Sequence, residues 1–339
     1  DKRVLLYDKL KLHEQFADRG LSQALKGKTG RVILEAFHDI DEVALLQDCT
    51  LTQKIYGTYL VGLGRFVIDD RLHPNVNFHG TTTGRGSAAD PNVLGIPEEK
   101  GNIRELFLAD PGWILAYIDY SGNELRHGAA LSGDEVMAES FRGGRDFHQE
   151  SRIRMFGLQP SYTHQQVLDA KTIVFGPLYG RGLPSLALQL KCSIKQAGEY
   201  NEAILGPYKV LFEFFDATAV ELHETGEVRS HYGRRRRWGL LTDDNTSSSE
   251  REARNFSISS PSSDTNLLAM IEGSRQLSKE VARPMWPVHD AGLWQIREDV
   301  YEEVVAQLEE IYTSLPGRLL NTDVPFQVKT GIGHHWTSK

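Results

Sequence analysis

The stretch Trp113-Ile114-Leu115-Ala116-Tyr117-Ile118-Asp119-Tyr120-Ser121-Gly122-Asn123-Glu124-Leu125-Arg126 decides how the rest of the chain is read. The apolar run from Trp113 to Ile118 is long enough for a buried strand and short for a buried helix. Asp119 follows it directly. A carboxylate at the edge of a buried strand is costly unless it is paired or binds metal. A second carboxylate stands in a matching place, because Arg283 to Arg297 reads as a hairpin with two apolar arms around His289-Asp290. The plain alternative is a pair of turn aspartates at strand ends, since Asp is common in turns.

Outward from these strands, the first 65 residues read as mainly helical, with Leu45, Leu46, Leu51, Ile55, Leu60 and Leu63 near helical spacing. Residues 69–112 are rich in Gly, Pro, Asn and Asp and predict strands and loops. Residues 135–225 are again mostly helical. Thr242 to Ser249 has no apolar residue and predicts an exposed loop. A last helix is expected over Val300 to Ser314, and a final strand near Phe326-Gln327-Val328. A sheet interrupted by a helical insertion predicts an α+β fold with a cleft between units.

The 339 residues suffice for two or three units, and 40% hydrophobic with 25% charged is an ordinary globular composition. No apolar run reaches the roughly 18–20 residues of a membrane helix, and the start lacks a secretory signal pattern, so no membrane partner is expected. The abrupt N-terminus reads as cut from a longer chain. Cys49 and Cys192 lie far apart and form no metal or disulfide pattern, which favours an intracellular setting. The net charge of −8 argues against a nucleic-acid partner, but a binding cleft needs only local basic surface. Arg234-Arg235-Arg236-Arg237 supplies the densest such run.

If the fold brings Asp119 and Asp290 together, they repel, and divalent cations resolve the repulsion. Hard oxygen ligands on rigid strands suit Mg²⁺, which also takes phosphates as ligands. Two ions roughly 3.5–4 Å apart can activate a hydroxyl and stabilise a leaving pyrophosphate. Between the two aspartates, Lys171, Phe175 and Tyr179 are spaced by four and share one helix face. By itself that face could equally be an amphipathic core helix with a snorkelling lysine.

The segments together resemble family A DNA polymerases. Asp119-Tyr120-Ser121-Gly122-Asn123-Glu124-Leu125-Arg126 is similar to motif A, D-Y-S-Q-I-E-L-R, at six of eight positions. Lys171 to Gly180 resembles motif B, K-x-x-x-F-G-x-x-Y-G, and Val288-His289-Asp290 the start of motif C, V-H-D-E. Thr83-Gly84-Arg85 with Asp90-Pro91-Asn92, Ile103-Arg104 with Phe107, Asp146-Phe147-His148, Tyr232 to Arg236, and Arg251 with Asn255 are similar to further family segments. The resemblance covers about residues 45–339.

It implies a right-hand polymerase fold: an antiparallel palm sheet, helical fingers and a partial helical thumb. The expected boundaries are 1–80 for the partial thumb, 81–134 for palm, 135–226 for fingers and 227–339 for palm again. An upstream exonuclease domain has no room in this chain. The implied activity is template-directed DNA synthesis from dNTPs on a primer-template, by a monomer using two Mg²⁺ ions, with Mn²⁺ as a substitute. Asp119, Asp290 and the Tyr120 carbonyl would hold metal. Lys171 and His148 would hold the triphosphate, Phe175 would stack on the base or sugar, and Tyr179 would lie near the templating pair. Glu124 would exclude a 2′-hydroxyl. Arg85, Asn92, Arg251, Asn255 and His289 would contact DNA.

The sequence also departs from the pattern. Val167 stands where the family has an arginine that grips the triphosphate, with His164, Gln166 or Arg181 as substitutes. Ser257 and Ser259 replace Pro and Gln, and Ala291 replaces the motif C glutamate. Pro177 predicts a bend or break after Gly176. These departures suggest a phage or viral member, acting in the cytoplasm of a bacterial host. They also favour one rival, a non-catalytic primer-template binding module. A phage-type RNA polymerase is argued against by Glu124, and a reverse transcriptase-like activity remains open.

Overall fold

The computed structural model describes residues 1–19, 21, 23–97, 102–144 and 147–337, with backbone alone at 24, 31, 32, 177 and 178. Its elements run α1 (Arg31–Ala36), α2 (Asp41–Lys54), the short α3 (Gly62–Gly64), β1 (Val67–Ile68), β2 (Arg71–Leu72), β3 (Asn75–Asn77), β4 (Ser87–Ala89) and β5 (Trp113–Tyr120). Then follow α4 (Asn123–Ser132), α5 (Glu135–Arg142), α6 (Phe147–Phe156), α7 (His164–Leu178), α8 (Leu183–Leu190), α9 (Ile194–Leu205) and α10 (Lys209–Thr225). The chain closes with β6 (Glu227–Arg229), β7 (Arg235–Arg237), α11 (Thr246–Gln276), β8 (Ala282–Val288), β9 (Ala291–Arg297), α12 (Tyr301–Leu320) and β10 (Val328–Gly333). This is an α+β architecture.

Two compact units emerge, the first reaching from Asp1 to Pro74 and the second beginning at Asn75. The N-terminal unit also includes Ile103. It folds around Leu6, Leu12, Phe16, Ile33, Phe37 and Val43, all nearly inaccessible to solvent. The second unit holds every candidate site residue. Its centre is a four-stranded antiparallel sheet in the order β10-β5-β9-β8. As the apolar run requires, β5 is buried over most of its length and occupies an inner position. Each fully buried Ile or Leu side chain of this kind contributes about 1.5–3 kcal/mol.

Helix α12 covers the sheet through Leu308 and Tyr312, which pack with Trp294 and Ile296 of β9. Gly292 is required there, because a Cβ would collide with the Tyr312 hydroxyl. Elsewhere one buried carboxylate starts two helices. Asp134 accepts the Met137 amide of α5 at 3.0 Å and the Leu211 amide of α10 at 3.1 Å.

Four expectations change. Thr246 to Ser249 is the first turn of the 31-residue α11, not loop, and Ser249 is buried. Ser, Thr and Asn there serve the helix start: Asn245 accepts the Thr242 amide at 2.8 Å, and the Ser248 hydroxyl donates to the Asn245 carbonyl at 2.8 Å. Helix α12 continues to Leu320 through Pro316, and the last strand begins only at Val328. Helix α7 does not break after Gly176. Pro177 falls in its last turn, so only one backbone bond is lost and no further turn of α7 follows to be deflected. The Tyr179 amide still reaches the Phe175 carbonyl at 3.2 Å, and the Arg181 amide reaches that of Gly176 at 2.9 Å.

Candidate active site

Antiparallel pairing of β5 with β9 sets Asp119 opposite Ala291, so Asp119 and Asp290 lie at the same end of neighbouring strands. The Tyr120 amide donates to the Asp290 carbonyl at 3.3 Å, which extends the ladder into the turn. His289 at that turn has φ of 53°, a left-handed conformation that aims the next residue back at the sheet. Asn266, fully buried on α11, donates to the Ala291 carbonyl at 3.0 Å and to that of His289 at 3.5 Å. It clamps the turn from behind, and sequence reasoning missed it. The sequence offers no clear signal for it, since Asn266 follows the small polar run Ser262-Ser263-Asp264-Thr265 of a helix that the sequence did not predict.

The turn after β5 is fixed with equal care. Gly122, at φ 65°, makes the sharp entry into α4. Buried Arg126 donates to the carbonyls of Ser121 (2.9 Å) and Pro325 and to the Gln327 amide oxygen (2.9 Å). The Ser121 amide donates to the Gln327 carbonyl at 2.8 Å. Burial holds the Arg126 pKa down to about 10. Tyr120 points its ring into the core, where its hydroxyl donates to the Tyr312 carbonyl at 2.8 Å. Only its backbone remains for the site.

Glu124, in the first turn of α4, accepts from Arg85 Nη2 at 2.7 Å and from Ser259 Oγ at 2.8 Å. The same Arg85 atom lies 3.8 Å from Asp290 Oδ1. One guanidinium therefore stands between two carboxylates. Burial pushes the Glu124 carboxyl above its usual range and the charge of Asp290 adds to this, while Arg85 and Ser259 oppose it. Burial likewise raises Asp290, with Asp119 adding to the push and Arg85 resisting it. Asp290 Oδ1 is buried and accepts no hydrogen bond.

Among the described residues, no group of three His, Cys, Asp or Glu side chains is arranged to hold a metal ion. The pair Asp119 and Asp290 nevertheless fits a divalent cation. An orphaned buried carboxylate oxygen on Asp290, with the charge of Asp119 acting on it, is what a cation would complete.

Arg85 owes its place to an arginine of the basic run. Arg234 pairs with Asp264 at 2.6 Å and lies flat against Gly84, where a Cβ would come within 2.5 Å of its guanidinium carbon. Gly84 has φ of 80°, so it meets both a conformational and a steric demand. The rest of the run is less committed: Arg236 pairs with Glu252 and Arg237 with Glu227.

On α7, Lys171 is exposed, and the rings of Phe175 and Tyr179 stack with centroids 6.2 Å apart. His148 on α6 meets Phe175 at 5.6 Å. Phe175 and Tyr179 thus lie together, and α6 adds His148 to their rings. Asp146 lies outside the described residues. On α11, Arg251 packs over Gly180, where a Cβ would come within 2.5 Å of its Cγ, and donates to Ser247 Oγ at 2.9 Å. Half-buried Asn255 and then Ser259 continue that helix face towards Glu124. Asn92 is not drawn into this cluster. Its side chain accepts the Gly95 amide at 3.2 Å and caps a local turn. His289 keeps an exposed edge at its turn; desolvation and then Arg85 and Arg104 lower its pKa.

The profile of the family described as "DNA polymerase family A" matches residues 2–338. "DNA polymerase I, thermostable" of Thermus filiformis is 34% identical over 323 residues, which span 92% of this chain and 38% of that protein. "DNA polymerase I" of Deinococcus radiodurans is 30% identical over 342 residues, spanning 98% of this chain and 35% of that protein. The chain thus spans little more than a third of these relatives. Among solved structures, the POL domain of Pol1 from M. smegmatis, in complex with DNA primer-template and dNTP, superposes with a TM-score of 0.77 at 26% identity. That match covers 93% of this chain and 55% of the other.

Proposed function

The chain belongs to DNA polymerase family A, and on that premise we propose that it extends a primer on a template strand by nucleotidyl transfer from dNTPs, in the replication of a phage or viral genome. The observation that carries the reading is the pairing of β5 with β9, which puts Asp119 and Asp290 at one strand end, with Oδ1 of Asp290 buried and accepting no hydrogen bond. In this reading the four-stranded sheet is the palm, α5 to α10 form the fingers, and the N-terminal unit is part of the thumb. The chain acts as a monomer on primer-template DNA in the host cytoplasm.

Two Mg²⁺ ions, or Mn²⁺ in their place, held by Asp119, Asp290 and the Tyr120 carbonyl, would supply activation of the primer hydroxyl and neutralisation of the leaving pyrophosphate. The protein's own groups do the positioning. Lys171 and His148 bind the triphosphate, and the Phe175 and Tyr179 rings offer a flat apolar face to the base pair. Glu124 is braced from two sides by Arg85 and Ser259, so it cannot swing away from a sugar that carries an extra hydroxyl. Arg251, Asn255 and His289 line the approach of the DNA.

Primer extension with Mg²⁺ tests the reading directly. The purified chain extends a primed template, and Asp119→Asn and Asp290→Asn each lower the single-turnover rate by about 10²–10³-fold or more. Extension that survives both substitutions defeats the metal assignment. A wild-type protein that binds primer-template but extends it with neither Mg²⁺ nor Mn²⁺ is instead the binding module that Val167, Ser259 and Ala291 favour.

A further inference from the structure

Helices α6 and α7 lie antiparallel, because His148 in the first turn of α6 meets Phe175 near the end of α7. Arg152 sits one turn beyond His148 on the same face of α6. Its guanidinium carbon is 5.6 Å from the ring centroid of Tyr162, the residue that precedes the capping position of α7. Tyr162 is itself fixed, its hydroxyl donating to the Gly157 carbonyl at 2.8 Å. The arginine is thereby parked beside the N-terminal turn of α7, on the Val167 side of Lys171.

Arg152 is half-buried, and its Nε is buried without a hydrogen-bond partner. Among the described residues no carboxylate pairs with it. Its neighbour Arg154, by contrast, donates to the Ala203 carbonyl at 2.7 Å and reaches Glu150 at 4.0 Å. A guanidinium held against an aromatic face, partly desolvated and unpaired, is costly until an anion completes it. Other groups near α7 are less suited. Gln166 is consumed in a capping box, accepting the Thr163 amide at 2.9 Å while Thr163 Oγ1 accepts the Gln166 amide at 3.2 Å. Arg181 lies against Gly176, at the opposite end of the helix.

We propose that Arg152 binds the triphosphate of the incoming dNTP beside Lys171 and His148, and supplies from α6 the planar cation that Val167 does not. The inference rests on the polymerase reading of this same site. A polyphosphate seated here meets the Lys171 point charge, the Arg152 fork and the positive end of the 15-residue α7.

The test measures extension kinetics and, separately, the affinity of the protein for inorganic tripolyphosphate. In Arg152→Ala, KM for dNTP rises about tenfold or more, as expected for loss of a charged hydrogen bond. The change in kcat is smaller, and tripolyphosphate affinity falls in parallel. Primer-template affinity stays at the wild-type value, and the melting temperature falls only slightly. Arg152→Lys recovers part of the loss, and Val167→Arg in the Arg152→Ala background recovers more, a rescue that a merely structural role for Arg152 would not give. Unchanged KM and tripolyphosphate affinity in Arg152→Ala, alongside an active wild type, overturn the proposal, as does a wild type that binds no tripolyphosphate. A wild type that binds tripolyphosphate through Arg152 yet extends no primer upholds this anion site and defeats the polymerase reading.

Discussion

The end of β5 and the face shared by α6 and α7 treat charge in opposite ways. At the strand end, Arg85 stands 2.7 Å from Glu124 and 3.8 Å from Asp290, so the protein supplies its own counter-ion to buried carboxylates. On the helix pair, Lys171 is exposed and Arg152 lies over the Tyr162 ring with no carboxylate partner among the described residues. The difference teaches that the first region balances most of its buried charge within the fold, and in the proposed reading divalent cations would take over from Arg85 there. The second is a basic surface left incomplete until an anion arrives. Burial drives the contrast, because an unpaired charge costs far more among β5, α4 and α11 than on a solvent-facing helix.

The largest expected effect tests how deeply the first region is sealed. His127, on α4 behind Glu124, is fully buried between the Asn123 carbonyl and Thr265 Oγ1, at 3.0 and 2.9 Å. Burial lowers its pKa to about 4, with His231 adding to the effect and Asn123 opposing it. A folded-state value below the unfolded one means that the unfolded chain takes up the proton first. This contribution to stability is intact above about pH 6.5 and is lost as pH falls towards 4. The loss reaches about 2 kcal/mol at pH 5. Urea unfolding at pH 8 and pH 5 should show it, and His127→Gln should flatten the slope. An equal slope in the variant would refute the assignment.

Arg85→Ala comes next. It leaves Glu124 with Ser259 alone and should destabilise the metal-free protein by about 1–2 kcal/mol, less than for a sealed ion pair because Arg85 is 38% exposed. Added Mn²⁺ or Mg²⁺ should recover part of the melting temperature if cations replace the guanidinium. Arg152→Ala, which breaks no ion pair, should cost under about 1 kcal/mol. Similar losses in both variants would erase the contrast between the regions. Gly84→Ala should have a slightly smaller effect than Arg85→Ala, about 1 kcal/mol, from strain at φ 80° and displacement of Arg234. Its signature is weaker primer extension together with a lower melting temperature. A variant with wild-type values of both would show that Arg234 does not position the Arg85 loop.

The sheet was legible in the sequence because each inner strand is a short apolar run bounded by Asp or a turn, and that pattern has one cheap solution. The α7 face was legible from its spacing of four. Helix α11 was not. Its start, Thr246 to Ser249, and its middle, Ser260-Pro261-Ser262-Ser263, are small and polar, which reads as loop in one dimension. In the fold Ser260, Ser262 and Ser263 are buried, and Asn123 of α4 donates to the Ser262 carbonyl at 3.2 Å, so their small size permits close approach. Asn266 and the Gly84–Arg234 contact were hidden for the same reason: each acts across more than twenty residues of separation through a backbone carbonyl or a missing Cβ. Arg152 was hidden because nothing in its own segment distinguishes it from Arg154. Only the antiparallel docking of α6 on α7 brings it beside Tyr162.

The finest comparison asks what Ser259 contributes. Its hydroxyl and Arg85 both reach the same oxygen of Glu124, so the carboxylate is held from α11 and from the Arg85 loop at once. Removing one brace of two leaves the other in place, and the Arg85 contact carries full charge while the serine contact carries half of that character. Ser259→Ala should therefore cost about 1 kcal/mol and loosen Glu124 without freeing it. In the polymerase reading, ribonucleotide incorporation relative to dNTP should rise about fivefold in Ser259→Ala, and by considerably more in Glu124→Ala, where the blocking group itself is gone. The comparison is made with matched ATP and dATP in single-nucleotide extension. If Ser259→Ala relaxes sugar choice as far as Glu124→Ala does, the serine is the group that excludes the 2′-hydroxyl and Glu124 only orients it. If neither moves the ratio, the carboxylate cluster around Arg85 serves the metal site alone and sugar selection belongs to the α7 face.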